Sequence, residues 1–486
     1  MDSIPPSQAN VVAFLAGLAG GPPLETHISC IFRSADTVWK LKKAVSLGFL
    51  DFTALADRRH FLDRELGLNA AAAPGLYRDV IPITRTAKGL ALGGDSEPVD
   101  YVLRMARVPE PDFLDAMAAA GRLDPPLLTA IADAVVALHQ ALPAIPDRRP
   151  SEHHRLQKVI DGNRAAGLAA GLPAEAVAAW HATATALLAR LAAHLDARAP
   201  AIRRCHGDLH LGNLLLWHGK PAAFDALEFN EDLATIDPGY DLAFLLMDLD
   251  LKLSRAAANI VLNRYLAQTG DLGLLAPLSL FLSLRAFIRA HVEAKRGRDA
   301  APLLDAAQRY LMPARPVVVA VGGLQGTGKS TLARAIAPHL GAAPGALILR
   351  SDEIRKRRAG IRPDQRLPPD AYTPQSSAET QTAMLEALRT AIAAGHSVIL
   401  DATFLDPAAR HAAAHAAEAP FLGIWLHADI AILEARIMAR RNDASDATIA
   451  VLHAAAAHLD PPPDWLRLDA TSPLLQQNVQ AALAVL

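Results

Sequence analysis

The chain is predicted to hold two units in succession: an α+β unit with a strand-rich small lobe and a helical lobe, then an α/β unit with a parallel sheet. Three observations predict this. Residues 25–103 mix short strand-like runs with one helix-like run, and residues 104 to about 312 carry apolar residues at spacings of three and four. After the Pro313–Pro316 stretch, strand and helix signals alternate to the end of the pattern, which marks a parallel sheet wrapped by helices. The boundary is therefore expected near residue 313, giving units 1–312 and 313–486.

The elements follow in order. Val11–Gly20 is apolar but preceded by Asp2 and by no Lys or Arg, so it is expected as a short amphipathic helix and not a signal peptide. Thr26–Phe32 and Thr37–Leu41 flank the polar Arg33–Asp36 turn and read as a hairpin. Phe61–Asn69 reads as a helix, as do Leu127–Leu142, Ala174–Leu195 and Leu275–Val292. In the second unit, strands are expected at 317–321, 346–350, 397–400 and 421–426. Helices are expected at 331–340, 353–358, 377–394, 407–416 and 430–441.

The bulk composition restricts the function classes. The 486 residues are 51 % hydrophobic and 20 % charged, as in globular proteins. A net charge of −2 predicts no general attraction to nucleic acid or acidic membranes. Residues 313–486 carry 16 Lys plus Arg against 16 Asp plus Glu, without the basic excess of a nucleic-acid binder. Cys30 and Cys205 cannot build a disulfide framework and are expected as reduced thiols in a cytoplasmic protein. No apolar run is expected to span a bilayer. The nearest, Leu272–Leu284, has Asp271 at its edge, Pro277 inside and Arg285 closing it.

Gly323-Leu-Gln-Gly326-Thr327-Gly328-Lys329-Ser330 fits the pattern G-x-x-x-x-G-K-[ST], with a strand before it and a helix from Thr331 after it. Glycines let successive N–H groups point into one concavity, and the helix presents its positive end to phosphates. Lys329 is expected on the β- and γ-phosphates of ATP and the Ser330 hydroxyl on Mg2+. Asp401 ends the strand Val398–Asp401 and is expected to orient that metal, or else to cap the next segment. Asp352 follows the run Leu347–Arg350 at the edge where α/β ligands bind, as a general base or as the N-cap of the following helix. Within Arg355–Arg358 one or two side chains are expected to grip an anionic substrate. Arg436 and Arg440 lie one turn apart, either as arginines closing over the γ-phosphate or as solvated surface groups.

These residues resemble the small P-loop kinases related to gluconate kinase, zeta-toxin-like kinases and the kinase half of polynucleotide kinases. The resemblance covers about 317–470. It rests on Ser351-Asp352-Glu-Ile-Arg355-Lys, Asp401-Ala-Thr403 and Arg440…Asp443-Ala-Ser-Asp446. It implies phosphoryl transfer from ATP to a hydroxyl and leaves the acceptor open.

In the first unit, His206-Gly-Asp208-Leu-His-Leu-Gly-Asn213 places Asn five residues after Asp, the spacing of a kinase catalytic loop. Asp208 is expected to take the hydroxyl proton and Asn213 to ligate Mg2+. Asp225, after the run Leu214–Trp217 and a turn at Gly219, is placed for the second metal position. His206 and His210 have no third ligand at metal-site spacing, and Glu228 and Asp241 are read either as support for the metal or as partners of buried backbone. With Asp237-Pro-Gly-Tyr-Asp241, these residues resemble the aminoglycoside-phosphotransferase-like kinases over roughly 25–300. That resemblance implies a protein-kinase-like bilobal unit and an ATP-binding lysine. Strand alternation puts Lys40 and Lys42 on one face; Lys40 is favoured, with Glu65 as its partner and Tyr101–Arg107 as the hinge at adenine. Thr26-His-Ile-Ser29 stands where protein kinases carry a glycine-rich loop.

The whole chain is thus similar to bacterial predicted-kinase fusions, with ATP and Mg2+ as cofactors and small-molecule hydroxyls as acceptors. The alternatives are a ligand sensor with a P-loop ATPase and a polynucleotide 5′-hydroxyl kinase.

Overall fold

The computed structural model describes residues 4–47, 50–145, 151–368, 371–439, 445–471 and 475–485. By internal packing the chain forms two compact units, Met1–Arg148 with Pro200–Leu245, and Arg149–Ala199 with Leu246–Leu486. The compositional break near 313 is therefore not a break in packing: the helices before it group with the sheet after it.

The first unit is built on a six-stranded antiparallel sheet. Its strands are β1 (Leu24–Glu25), β2 (Ser29–Arg33), β3 (Thr37–Lys42), β4 (Tyr77–Thr86), β5 (Gly89–Leu92) and β6 (Pro98–Ala106), in the order β1-β2-β3-β6-β4-β5. β2 and β3 form the expected hairpin, with Phe32 opposite Trp39 and Ile31 opposite Lys40. The first strand begins at Ser29, not Thr26, because Thr26 and Ser29 close a turn: the Ser29 N–H donates to the Thr26 hydroxyl at 2.9 Å. Phe32, Leu41, Ile83 and Val102 pack beneath the helix Ala9–Ala19, while Leu62, Tyr77 and Leu103 form the core under the helix Leu55–Asn69. That second helix starts six residues earlier than its apolar pattern predicts. Its first turns bury Arg58 against Asp100 at 2.9 Å, a charge pair that periodicity does not reveal. Of Tyr101–Arg107, expected as the hinge, residues 101–106 lie inside β6, which pairs with β3 and β4 and ends only at Ala106.

β7 (Arg203–Arg204) pairs antiparallel with β10 (Thr235–Ile236), and β8 (Leu214–Trp217) with β9 (Lys220–Ala223). The β8–β9 turn places His218 and Gly219 at φ of 50° and 75°, the left-handed geometry that a tight hairpin requires. Asn213 stands immediately before this hairpin and Asp225 shortly after it.

The second unit contains the helices Glu152–Ala169, Ala174–Ala197, Arg255–Thr269, Leu275–Lys295 and Ala301–Tyr310. Two helical segments, Ala174–Ala197 and Leu272–Lys295, do reach the length and apolarity of a membrane span, contrary to the expectation from runs of apolar residues. They pack on each other: the Trp180 ring stacks on Phe287 at 3.7 Å and its indole N–H donates to Ser283 at 2.9 Å. Leu272–Lys295 is mostly buried, as a core helix is, whereas Ala174–Ala197 buries only one side.

The same unit holds a five-stranded parallel sheet, β11 (Val318–Gly323), β12 (Leu347–Arg350), β13 (Val398–Asp401), β14 (Phe421–His427) and β15 (Leu466–Asp469), in the order β12-β13-β11-β14-β15. The expected helix 331–340 runs as Lys329–Ile336 and tightens into a 3₁₀ turn over Ala337–His339, where Pro338 lacks the N–H an α-helix needs. The helix expected at 353–358 begins at Ser351, which puts Asp352 inside the first turn and not at the N-cap. β15 and the helix Ile449–Ala456 lie beyond the predicted alternation.

β12 is an edge strand, and its outer face is paired by side chains. Asn263 accepts from the Ile348 N–H at 2.7 Å and donates to the Ala346 carbonyl at 3.2 Å; Asn259 donates to the same carbonyl at 3.0 Å. One amide thus substitutes for a neighbouring strand, satisfying donors and acceptors an edge would leave open. His396 ties the loop before β13 to the Leu275 carbonyl at 3.1 Å. Burial pushes this imidazole down to about 4, and burial with the Lys295 charge takes His291 to about 4 as well.

Asn263→Ala removes the partner of a buried N–H and is expected to cost about 1–3 kcal/mol, read as a lower urea midpoint of the full-length chain. The two depressed imidazoles give a second expectation. Between about pH 6.5, where unfolded histidine titrates, and about pH 4, the unfolded chain takes up protons the folded one refuses. Stability should fall as pH is lowered through that window and level off below it. In His396→Gln the slope of midpoint against pH should be shallower; an unchanged slope refutes the assignment.

Candidate functional site

In the first unit, strand alternation aims Lys40 and Lys42 from β3 at one carboxylate on the helix Leu55–Asn69. Lys40 Nζ lies 2.7 Å from Glu65 Oε1 and 2.5 Å from Asp225 Oδ1. Lys42 Nζ lies 3.0 Å from Glu65 Oε2 and bonds Glu228. Glu65 and Lys42 are fully buried, whereas Asp225 opens outward with its side chain 42 % exposed. Burial alone would push the Lys40 ammonium down; the charges of Asp225, Glu65 and Glu228 outweigh it and hold its pKa well above the ordinary lysine value. Burial likewise pulls Asp225 upward, and Lys40, by charge and hydrogen bond, more than reverses this, keeping the carboxylate ionised. For Glu228, burial wins over Lys42, and its pKa is raised.

Asp225 has φ of 61°, a left-handed backbone that few non-glycine residues adopt. Two bonds hold it there. The Asp225 N–H donates to the Tyr77 hydroxyl at 2.9 Å, and the Ala226 N–H donates to Asn69 Oδ1 at 2.9 Å.

The loop 206–213 brings Asp208 and Asn213 together as the spacing predicts. Asn213 Nδ2 donates to the Asp208 carbonyl at 2.9 Å and to its Oδ2 at 3.0 Å. Asp208 keeps a side chain 41 % exposed, with His210 Nε2 at 3.5 Å. His206 is a structural link: its Nε2–H donates to the Phe224 carbonyl at 2.9 Å and its Nδ1 accepts from the Asp208 N–H. Burial lowers its pKa, consistent with that neutral tautomer. Asp241 closes the loop from behind, accepting from the His206 and Gly207 N–H groups at 3.0 Å each. His139, Cys205 and Asp241 offer ligand atoms within 4.8 Å of one another. The carboxylate oxygens there already receive backbone N–H groups, so the cluster is a loop anchor. Both cysteines are free and buried, and burial raises the Cys30 thiol to about 11.

In the second unit the glycine-rich loop joins β11 to the helix Lys329–Ile336. Gly323 has φ of 133°, and a Cβ there would stand 2.4 Å from the Leu426 carbonyl oxygen; at Gly326 a Cβ would meet Leu433 at 2.9 Å. Only glycine fits either place. Thr327 donates to the Leu324 carbonyl at 2.8 Å, and the Thr331 N–H to the Gly328 carbonyl at 3.0 Å. Lys329 Nζ donates to the carbonyls of Gly323 and Leu324 at 3.0 and 2.9 Å. The Ser330 hydroxyl donates to Asp401 Oδ2 at 2.5 Å, and Arg350 Nε lies 3.2 Å from the same oxygen. The parallel register sets Asp401 beside Arg350 on one side and Val321 on the other, so all three reach the C-terminal edge of the sheet.

A cavity of about 1170 Å3 opens at this edge, lined by Gly326–Thr331, Arg350, Asp352, Arg355, Asp401 and Arg436 among others. Burial raises Asp352, with Arg350 opposing that shift and Asp401 adding to it. Of the basic run after Asp352, Lys356 is buried, Arg357 donates to the Ala267 carbonyl and Arg358 pairs with Glu379; Arg355 alone lines the cavity. Arg436 donates to the carbonyls of Gly326 and Ala470 at 3.5 and 2.7 Å. Arg440 lies outside the described residues.

Sequence reasoning missed Tyr77 and Asn69, which pin Asp225, and Arg350, which balances Asp401. For Lys42 and Glu228 a signal existed: Lys42 shares a strand face with Lys40, and Glu228 follows Asp225 by three residues. Nothing in the sequence marks Tyr77 or Asn69.

Comparison with known proteins matches two successive segments, the first of which runs across both packing units. A phosphotransferase enzyme family model matches residues 57–278, and an AAA domain model matches residues 318–462. An uncharacterized protein of Mycobacterium tuberculosis is 29 % identical over 500 residues, spanning 92 % of each chain. A gluconokinase from Sinorhizobium meliloti aligns at 24 % identity over 35 % of this chain and 90 % of its own, with a TM-score of 0.25. A thermostable mutant of an aminoglycoside phosphotransferase aligns at 14 % identity over 62 % of this chain and 98 % of its own, with a TM-score of 0.40. The chain thus matches, in succession, a phosphotransferase enzyme family model and an AAA domain model, the order of the two-unit kinase fusion that its sequence resembles.

Proposed function

We propose that the chain is an ATP-dependent phosphotransferase with two separate nucleotide sites, each passing the γ-phosphate to a hydroxyl of a small molecule. The families matched are kinase-like and imply use of ATP. One observation carries the finer reading for the first unit: Lys40 bridges Glu65 and Asp225 while Asp208 and Asn213 are joined at 3.0 Å. That is a phosphate-binding lysine, a metal carboxylate, a base and a metal amide in one unit, the set that phosphoryl transfer to a hydroxyl calls for.

The residues suit Mg2+, which when bound would neutralise charge on the phosphates. Asn213 and Asp225 would hold it in the first unit, Ser330 and Asp401 in the second. Asp208, accessible and hydrogen-bonded to Asn213, would accept the acceptor proton. Asp352 would do so in the second unit. Burial raises its pKa, which strengthens the ionised carboxylate as a proton acceptor. Lys329, Gly323, Gly326, Thr327, Gly328 and Thr331 would cradle phosphates, on a loop whose close approach to the Leu426 and Leu433 backbone leaves no room for a Cβ at Gly323 or Gly326. We place the functional boundary near 313, between the matched segments ending at 278 and starting at 318. Free cysteines and ATP use suit the cytoplasm. The dispersal of Arg355–Arg358 into buried, paired and cavity-lining positions gives no basic patch for a nucleic-acid end.

Full-length protein should release ADP in the presence of a metabolite extract. Lys329→Ala should abolish the nucleotide affinity of the second site, leaving one equivalent of Mg-ATP bound per chain by calorimetry. Asp208→Asn should lower the remaining transfer at least a hundredfold with ATP binding kept. Two equivalents bound by Lys329→Ala, or undiminished transfer by the double variant, would refute the two-site reading.

A further inference from the structure

We propose that the acceptor of the P-loop unit carries an anionic group, a carboxylate or phosphate, received by Arg355 and Arg366. The inference rests on the reading of that unit as a phosphotransferase and adds the chemical class of its acceptor.

The cavity exceeds the roughly 300–1000 Å3 typical of one small ligand, so it has room for an acceptor beside a nucleotide. Its charged walls divide into two groups. Towards the glycine-rich loop every charged group is matched within the protein: Lys329 by two carbonyls, Arg350 by Asp401 and Glu353, Arg436 by two carbonyls. On the other wall stand Asp352, Arg355 and Arg366. Neither arginine has a carboxylate within ion-pair distance among the described residues; Arg355 is half-buried and Arg366 exposed.

Arg355 is held in place without such a partner. Its guanidinium lies 4.8 Å from the centre of the Tyr372 ring, and its Nε is buried with no hydrogen-bond acceptor among the described residues. The ring is itself anchored. The Tyr372 hydroxyl donates to Asp446 Oδ2 at 2.7 Å, the Leu367 N–H donates to the same oxygen at 3.1 Å, and the buried Lys356 lies 3.3 Å from Oδ1. Residues 363–368, Tyr372 and the segment 445–448 are thereby clasped to the helix Ser351–Arg358 through one carboxylate. Stacking fixes the plane of the guanidinium and spends none of its forked N–H donors, the arrangement suited to a planar or tetrahedral oxyanion. An unpaired guanidinium beside a cavity is costly to desolvate, and an anionic ligand offsets that cost. Asp352, three residues before Arg355 on the same helix face, would then meet the hydroxyl while the arginines hold the anion, which gives the acceptor an orientation.

The test uses full-length protein carrying Asp208→Asn, so that ADP release reports the P-loop unit. Aldonic acids are compared with alditols of equal chain length, and sugar monophosphates with free sugars. Anionic members should show the higher kcat/KM. Arg355→Met should raise the KM for the anionic acceptor about ten- to a hundredfold with the KM for ATP unchanged, and Arg355→Lys should restore only part of it. Equal or better use of the neutral partners overturns the proposal, as does a rise in the KM for ATP instead, which would make Arg355 a nucleotide contact. No acceleration by any anionic member, with Mg-ATP binding intact, also counts against it. Loss of Mg-ATP binding itself would instead refute the phosphotransferase reading.

Discussion

The structure depends on the pairing of carboxylates with cations at the two places where phosphate chemistry is proposed. In one, Glu65 is shared between two lysines, and Lys40 passes that restraint on to Asp225. In the other, Asp401 is shared between a hydroxyl and a guanidinium. Removing one member of a buried pair typically costs about 3–5 kcal/mol because the remaining charge stays desolvated. Sharing spreads that penalty: Lys42 neutralises Glu65 from behind, so the cleft-facing Lys40 need not be its sole counter-charge.

Pairing fixes charge; backbone geometry fixes direction. Asp225 adopts a left-handed conformation because Tyr77 and Asn69 receive the N–H groups of residues 225 and 226. Those partners come from β4 and from the helix that also carries Glu65, so one helix sets both the lysine's partner and the aspartate's backbone. In the second unit glycines do the equivalent work, since a side chain at Gly323 or Gly326 would collide with the Leu426 or Leu433 backbone. The first solution uses distant tertiary contacts, the second a contiguous motif.

That difference explains what the sequence could disclose. The glycine-rich loop, the Asp208–Asn213 spacing, the shared strand face of Lys40 and Lys42 and the alternation of strands and helices after residue 313 are local patterns, and each was legible. The start of the helix Leu55–Asn69 was not, because Arg58 buries its charge against Asp100, 42 residues away. Nor was the Tyr101–Ala106 strand, whose pairing with β3 and β4 is decided by the whole sheet. The clasp of Lys356, Tyr372 and Asp446 joins three segments without a shared pattern. Periodicity sees faces and spacings; it does not see which distant polar group will satisfy a buried one.

The same limit applies to the unit boundary. Composition changes sharply at Pro313–Pro316, yet the edge strand β12 is completed by Asn259 and Asn263, which precede that point by some fifty residues. Arg357 reaches back to the Ala267 carbonyl at 3.1 Å, and His396 to that of Leu275. β12 leads directly through Arg350 and Ser351 to Asp352, so helix Arg255–Thr269 grips the strand that runs into the helix bearing the proposed base. A P-loop sheet cut free at 313 would expose the N–H of Ile348 and lose the groups that position Asp352. The cassette that looks self-sufficient in sequence is completed by the helices before it, and its chemistry inherits their geometry.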